Sequence, residues 1–221
     1  MAIPDTVVRR STPDAVVETL RRGILTGAIA GGTQLKQTEV AARFHASVVP
    51  VREAFQRLIA EGLAVHHPNR GVVVTILSDA DLAEIAELRT LLEPHALRLS
   101  APRLSGADLS EAEATLRRAT ETSDLLERAR LHWDFHRTLY ARSDRPRLLE
   151  QLGVLHTSLN RCLLPAWSRV GLSPGWVERH SRIVATLRRG DVDAACDEIV
   201  RQIADAAGRM RRDLRAGKEE R

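Results

Sequence analysis

Two histidines four residues apart, His132 and His136 in LHWDFHRTLY, are the first residues whose spacing suggests chemistry. Positions i and i+4 share one face of a helix, so two imidazoles placed there can bind one metal ion. A third imidazole, His180, lies in WVERHSRIV, which also has helical spacing. Three imidazoles with an open fourth position suit Zn²⁺ or Ni²⁺; the alternative is a partly exposed His pair that holds no metal. Asp134 turns away from the shared face at about 100° per residue, toward solvent or toward the far nitrogen of an imidazole whose tautomer it fixes. The same three histidines would serve a zinc hydrolase with Asp134 or Glu178 as its base, although no HExxH signature accompanies them. His95 and His156 read as ordinary helix residues.

A second constellation lies in FHASVVPVREAF, residues 44–55. Ser47 is placed to cap a helix and touch a phosphate, and the first amides of such a helix face the same anion. Arg52 follows one turn in, where a guanidinium can fork onto guanine O6 and N7. Lys36 opens the preceding helix as a phosphate contact, and Asn69, Arg70 and Gly71 form a turn able to enter a minor groove. Read alone, Arg52 and Glu53 would be a solvated helix face.

The elements that must position these groups follow from periodicity. Val16, Val17, Leu20, Ile24 and Leu25 make a first helical stripe, ended by glycines at 27, 31 and 32. Residues 38–44 form a short second helix, and a third runs over about 48–61 with Val51, Ala54, Phe55, Leu58 and Ile59 inward and Gly62 as its stop. The period then changes: Leu63 to His66 and Val72 to Ile76 read as a two-stranded hairpin around Pro68-Asn69-Arg70-Gly71. Three helices and a hairpin make a winged helix-turn-helix. From Ser78 onward the pattern is helical only, with six helices forming a bundle. The fold class is therefore mainly α: a flexible arm over 1–11, a winged domain over 12–77, a helical bundle over 78–216 and a polar tail over 217–221.

Composition bounds the function. Aromatic residues are 3% of the 221, too few for the base-stacking platforms of a single-strand binder. Net charge is +4, and residues 1–78 hold 9 Lys/Arg against 6 Asp/Glu, or +3 of it; that excess favours phosphate contacts in the winged domain. Cys162 and Cys196 sit in helical segments without a CxxC pattern, as two buried thiols of a reducing cytoplasm would. The N-terminal stretch has no apolar signal-peptide core and no run spans a membrane.

LKQTEVAARFHASVVPVREAFQRLIAEGLAVHHPNRGVVV resembles the winged-helix domain of the GntR transcription regulators, through Pro50-Val51-Arg52-Glu53-Ala54, Leu58, Glu61-Gly62-Leu63 and Arg70-Gly71. The helical remainder resembles the FCD effector domain of the FadR-like branch. The resemblance implies a palindromic double-stranded DNA operator, a homodimer and a small carboxylate effector. It also sharpens one departure: this chain has Ser47-Val48-Val49-Pro50 where the family has Ser-Arg-Thr-Pro. Val48 thus replaces an Arg that contacts DNA in relatives, which implies DNA binding that is retained but weaker or differently specific. In FCD domains the metal is held by an Asp, a His four residues on and two later His; here these positions are His132, His136, His180 and Gln202. Two of the four depart, so the pocket either keeps a metal or binds its ligand directly. Arg89 matches an Arg that points into this cavity in similar proteins and would clamp the carboxylate, with Arg161 as a second candidate; a surface salt bridge from Arg89 to Glu93 is the plain alternative. The functional expectation is a ligand-responsive regulator, a repressor by preference. A helical interaction protein with impaired DNA binding and the zinc hydrolase are the alternatives.

Overall fold

The computed structural model describes residues 12–172 and 175–219; the expected arm, residues 1–11, lies outside the described residues. The chain divides into two compact units between Ile76 and Leu77.

The first unit runs α1 (Thr12–Leu25), β1 (Gln34–Leu35), α2 (Gln37–Arg43), α3 (Val48–Ala60), β2 (Ala64–His67) and β3 (Gly71–Val74). The apolar stripes predicted for α1 and α3 form its core: Val16, Val51, Ala54, Phe55 and Leu58 have no exposed surface. Between α2 and α3, His45 takes a left-handed φ of 49° while the Ala46 amide donates to the Ala41 carbonyl at 3.0 Å. That is a Schellman-type ending, achieved without glycine. Gly62 ends α3 at φ 70°, with the Leu63 amide reaching the Leu58 carbonyl at 2.9 Å.

The sheet differs from the two-stranded hairpin expected. It has three strands in the order β1-β3-β2, because β1 pairs antiparallel with the free edge of β3, Leu35 opposite Val72. A two-residue strand has no periodicity to detect, and its partner lies nearly 40 positions away. The Gln34 side-chain amide donates to the Arg70 carbonyl at 2.6 Å, tying the wing to the loop ahead of α2.

The second unit holds α4 (Asp79–Ser100), α5 (Gly106–Glu121), α6 (Leu125–Tyr140), α7 (Pro146–Val170), α8 (Trp176–Arg188) and α9 (Val192–Glu219), with 3-10 turns at 101–103 and 141–143. Capping explains several starts. Ser78 and Asp81 exchange side-chain and backbone bonds in a capping box, as do Ser105 and Asp108, and Asp124 caps α6. α4 runs on through Pro94, which is buried. α9 continues to Glu219, so helix covers the start of what the sequence reads as a polar tail. Leu97, Ala112, Phe135, Leu139, Leu152, Ile183 and Ala195 are fully buried and join all six helices in one core. Among the described residues, no helix is long and apolar enough to cross a membrane.

Candidate metal and effector site

His132 and His136 project from α6 and His180 from α8, and their ligand atoms lie within 4.8 Å of one another. The hydrogen bonds behind two of these rings decide which nitrogen faces the cluster. The Nδ1–H of His180 donates to the Trp176 carbonyl one turn earlier, at 2.6 Å, leaving its Nε2 with the lone pair. The Tyr140 hydroxyl donates to the Glu93 carboxylate at 2.7 Å, so it can only accept from His136 Nδ1–H, 3.3 Å away. The Nε2 of His136 is then also unprotonated. His132 completes the trio, its Nε2 3.2 Å from that of His180. Burial pushes all three imidazoles down, His180 to about 4 and the other two well below their ordinary value. Three neutral imidazoles with converging nitrogens fit a borderline divalent cation such as Zn²⁺.

Behind the trio sits a residue that the sequence marked only as a surface partner of Arg89. Glu93 is fully buried on α4 and receives Arg89 Nε at 2.5 Å, His156 Nε2 at 3.1 Å and the Tyr140 hydroxyl. Burial raises the Glu93 carboxyl, but Arg89 and His156 outweigh it and hold the group well below the usual carboxylate range. Two plain expectations are therefore corrected. The Arg89–Glu93 pair is not a surface salt bridge, since both side chains are buried. His156 is not an ordinary helix residue: it is buried, and its ring packs 5.1 Å from that of His136. The available signal was a polar residue inside an apolar stripe, Glu93 ahead of Ala96 and Leu97, and His156 between Leu152 and Leu159. His95 is exposed on α4.

The trio opens on a cavity of about 260 Å³, lined by Arg89, Glu93, His132, His136, Trp167, Trp176, Arg179, His180, Gln202, Ile203, Arg209 and Met210 among others. A space of that size suits a small metabolite rather than a long chain. Arg89 gives its Nε to Glu93, and its two Nη groups have no hydrogen-bond partner among the described residues while the side chain lines the cavity. Gln202 donates its side-chain amide to the Arg179 carbonyl at 2.6 Å, which leaves Oε1 for a bound water or effector. Arg161 lies on α7, and its side chain is outside those described. Asp134 fixes no tautomer; it binds Arg130 at 2.6 Å, and carbonyl and phenol do the work on the histidines. Neither Asp134 nor the exposed Glu178 lines the cavity, so neither sits as a base beside the trio. Cys196 is buried but Cys162 only half-buried.

In the winged unit the predicted DNA-facing residues are all exposed: Lys36, Ser47, Val48, Arg52, Asn69, Arg70 and Gly71. α3 buries Val51, Ala54, Phe55 and Leu58 and presents Val48, Val49 and Arg52 on its outer face. Ser47 occupies the N-cap position with extended backbone but makes no capping bond, so the first amides of α3 remain open to an anion. Lys36 pairs with Glu39 at 2.7 Å and Arg70 leans on the Gly32 carbonyl at 3.3 Å. Asn69 takes φ 66° and Gly71 φ 67° at the wing tip.

Comparison with known proteins agrees with this architecture. Residues 12–74 match the model of the bacterial regulatory proteins of the gntR family, and residues 84–205 match that of the FCD domain. The HTH-type transcriptional repressor RspR of Escherichia coli (strain K12) is 28% identical over 200 residues, 88% of each chain. The Nta operon transcriptional regulator of Aminobacter aminovorans is 28% identical over 168 residues, 74% of this chain and 79% of that one. A crystal structure of a GntR family member from Pseudomonas syringae pv. tomato str. DC3000, 28% identical, superposes with a TM-score of 0.58 over 95% of this chain and 88% of that one. With its winged helix-turn-helix and its helical effector domain both matched, this chain belongs to the GntR family of transcription regulators, in the branch that carries an FCD domain.

Proposed function

We propose that this regulator is a dimeric repressor, not an enzyme, that holds a divalent metal on His132, His136 and His180 and senses a small carboxylate beside it. One observation carries this reading: the tautomers of His136 and His180 are set from behind, so that the free Nε2 atoms face the same small volume as His132. A bound Zn²⁺ or Ni²⁺ would supply a Lewis-acidic docking point for one carboxylate oxygen. The Nη groups of buried Arg89, which have no hydrogen-bond partner among the described residues, suit the other oxygen through charge-assisted bonds. Trp167, Trp176 and Met210 give the rest of the ligand an apolar wall. Gln202 Oε1 accepts from a ligand hydroxyl or from a water.

In the winged unit, the α3 amides and Arg52 take phosphate and guanine, and the exposed Val48 side chain offers a thymine methyl contact in place of the Arg found in relatives. A palindromic operator presents half-sites about one helical turn apart and so calls for two copies of the chain. An effector that prefers one arrangement of the dimer would change operator affinity by roughly 5- to 150-fold.

A second reading, direct ligand binding without metal, draws on the 3.2 Å approach of the His132 and His180 Nε2 atoms, which a protonated His132 Nε2 satisfies as a hydrogen bond. Thermal unfolding of chelator-stripped protein separates the two. At a hundredfold excess over its dissociation constant, Zn²⁺ adds about 2.7 kcal/mol, raising the midpoint by roughly 5–10 °C for a unit of this size. No shift with Zn²⁺ or Ni²⁺, and no metal in freshly purified protein, would leave the metal-free pocket as the answer. DNA binding is tested by fluorescence anisotropy on DNA from upstream of the protein's own gene, over a range of salt.

A further inference from the structure

Charge is unevenly distributed around the cavity. Among the described residues, four arginines line it, Arg89, Arg179, Arg209 and Arg212, against a single carboxylate, Glu93. The formal excess is three positive charges. A guanidinium does not lose its proton in a protein, and a concave wall of one sign concentrates its field inside. Glu93 gives a cation at the trio little relief. Its charge is matched by that of Arg89, 2.5 Å away, and its oxygens also take His156 and Tyr140. It approaches His136 at 3.9 Å from the Nδ1 side, behind the ring and away from the Nε2 that faces the trio. Among the described residues, no aspartate, glutamate or cysteine joins the three histidines in a ligand cluster.

The trio is therefore a good site in its donor atoms and a poor one in its charge. Neutral imidazoles lend lone pairs to a cation but no negative charge. A dication held by them adds two positive charges to a wall that is already positive. It does so where His136 and His180 are only 2% and 4% exposed, so that water screens little. A buried charge without a counter-charge costs far more than one that is paired. A small carboxylate meets the complementary deficit. The arginines attract it, but the trio itself offers it no cation until a metal is present.

We infer that metal and acid load together in this chain, each raising the other's affinity, because the acid supplies the negative charge that the protein's own ligand set lacks. Resting on the metal-and-carboxylate reading above, co-loading goes further: it makes the site respond to the coincidence of two ligands, so that neither alone fills it at concentrations at which the pair does. Calorimetric Zn²⁺ titration of the chelator-stripped full chain tests it, in acetate and in perchlorate of equal ionic strength, with the metal's own acetate complexes allowed for. Zn²⁺ should bind on the order of 10-fold or more tightly in acetate, within the range that coupled sites show. Coupling is reciprocal, so Zn²⁺ should raise the affinity for acetate by the same factor. Tryptophan fluorescence reads that arm, since Trp167 and Trp176, two of the three tryptophans, line the cavity. His132→Asp places one carboxylate among the ligands; it should tighten Zn²⁺ binding in perchlorate and reduce the acetate effect to about 3-fold or less. Equal Zn²⁺ affinity in the two salts overturns co-loading and leaves the metal site standing, and this comparison needs no variant. An acetate effect undiminished in a folded His132→Asp overturns the charge account. Zn²⁺ binding in neither salt overturns co-loading together with the metal reading beneath it.

Discussion

Replacing Glu93 by Gln changes one atom type at a buried group of the FCD unit that holds three hydrogen-bond partners. The carboxylate takes Arg89 and His156 on Oε1 and the Tyr140 hydroxyl on Oε2. A glutamine keeps one acceptor oxygen, which Arg89 claims, and turns an NH₂ toward Tyr140. Two consequences follow. The Arg89 charge, nearly excluded from solvent, loses its counter-ion, and breaking a buried pair from one side costs about 3–5 kcal/mol. For a unit of this size that lowers the melting temperature by roughly 6–20 °C. Second, Tyr140 must now accept from the amide and donate to His136 Nδ1, which drives the imidazole proton onto Nε2, the nitrogen that faces the trio. Metal affinity should then fall by about 10- to 100-fold, the usual cost of a lost supporting bond. The assay is thermal circular dichroism in chelator, followed by Zn²⁺ titration calorimetry. The double variant Glu93→Gln/Arg89→Met removes the orphaned charge and should recover more than half of the lost stability, as uncharged replacements of buried pairs do. A Glu93→Gln melting point within 3 °C of wild type, or a double variant whose loss is the sum of the two single losses, would refute the account of a buried ion-pair hub.

Three further predictions concern other parts of the molecule. Tyr140→Phe removes the acceptor of the His136 Nδ1 proton and should weaken Zn²⁺ binding by about 10-fold or more while leaving the helix content unchanged; equal affinity in calorimetry would mean that the tautomer is set elsewhere. In metal-free protein, His180 binds its proton near its ordinary 6.5 when unfolded but only at about 4 when folded. The unfolded chain therefore holds more protons between those values, so stability is full above 6.5 and declines as pH falls toward 4, by up to about 3 kcal/mol from this group; a pH series of urea melts reads it, and a flat profile there contradicts the burial. Val48→Arg on the exposed first turn of α3 adds one phosphate or base contact and should steepen the salt dependence of operator binding by about one unit of log–log slope; an unchanged slope and affinity on every site tried would mean that α3 does not dock as described.

The amino-acid order by itself determined what is local. The stripes of α1 and α3, the serine cap at 78, the glycine stop at 62 and the turn at 68–71 are set by neighbours within a few positions, so periodicity and capping chemistry make them legible. The same reach brought His132 and His136 together, because four residues are one turn. Tertiary structure decided what depends on elements meeting. β1 becomes a strand only because β3 offers it an edge. Glu93 becomes a hub only because α6 brings Tyr140 from 47 positions away and α7 brings His156 from 63. Arg89 and Glu93 look like a solvated i,i+4 pair in the sequence and are buried in the fold, since the helices closing over them decide solvent access. The protonated nitrogen of His136 follows from that closure too: its tautomer is chosen by a hydroxyl whose own donor bond points across to α4, and such a choice is a property of a packed network, where each group's proton depends on the next.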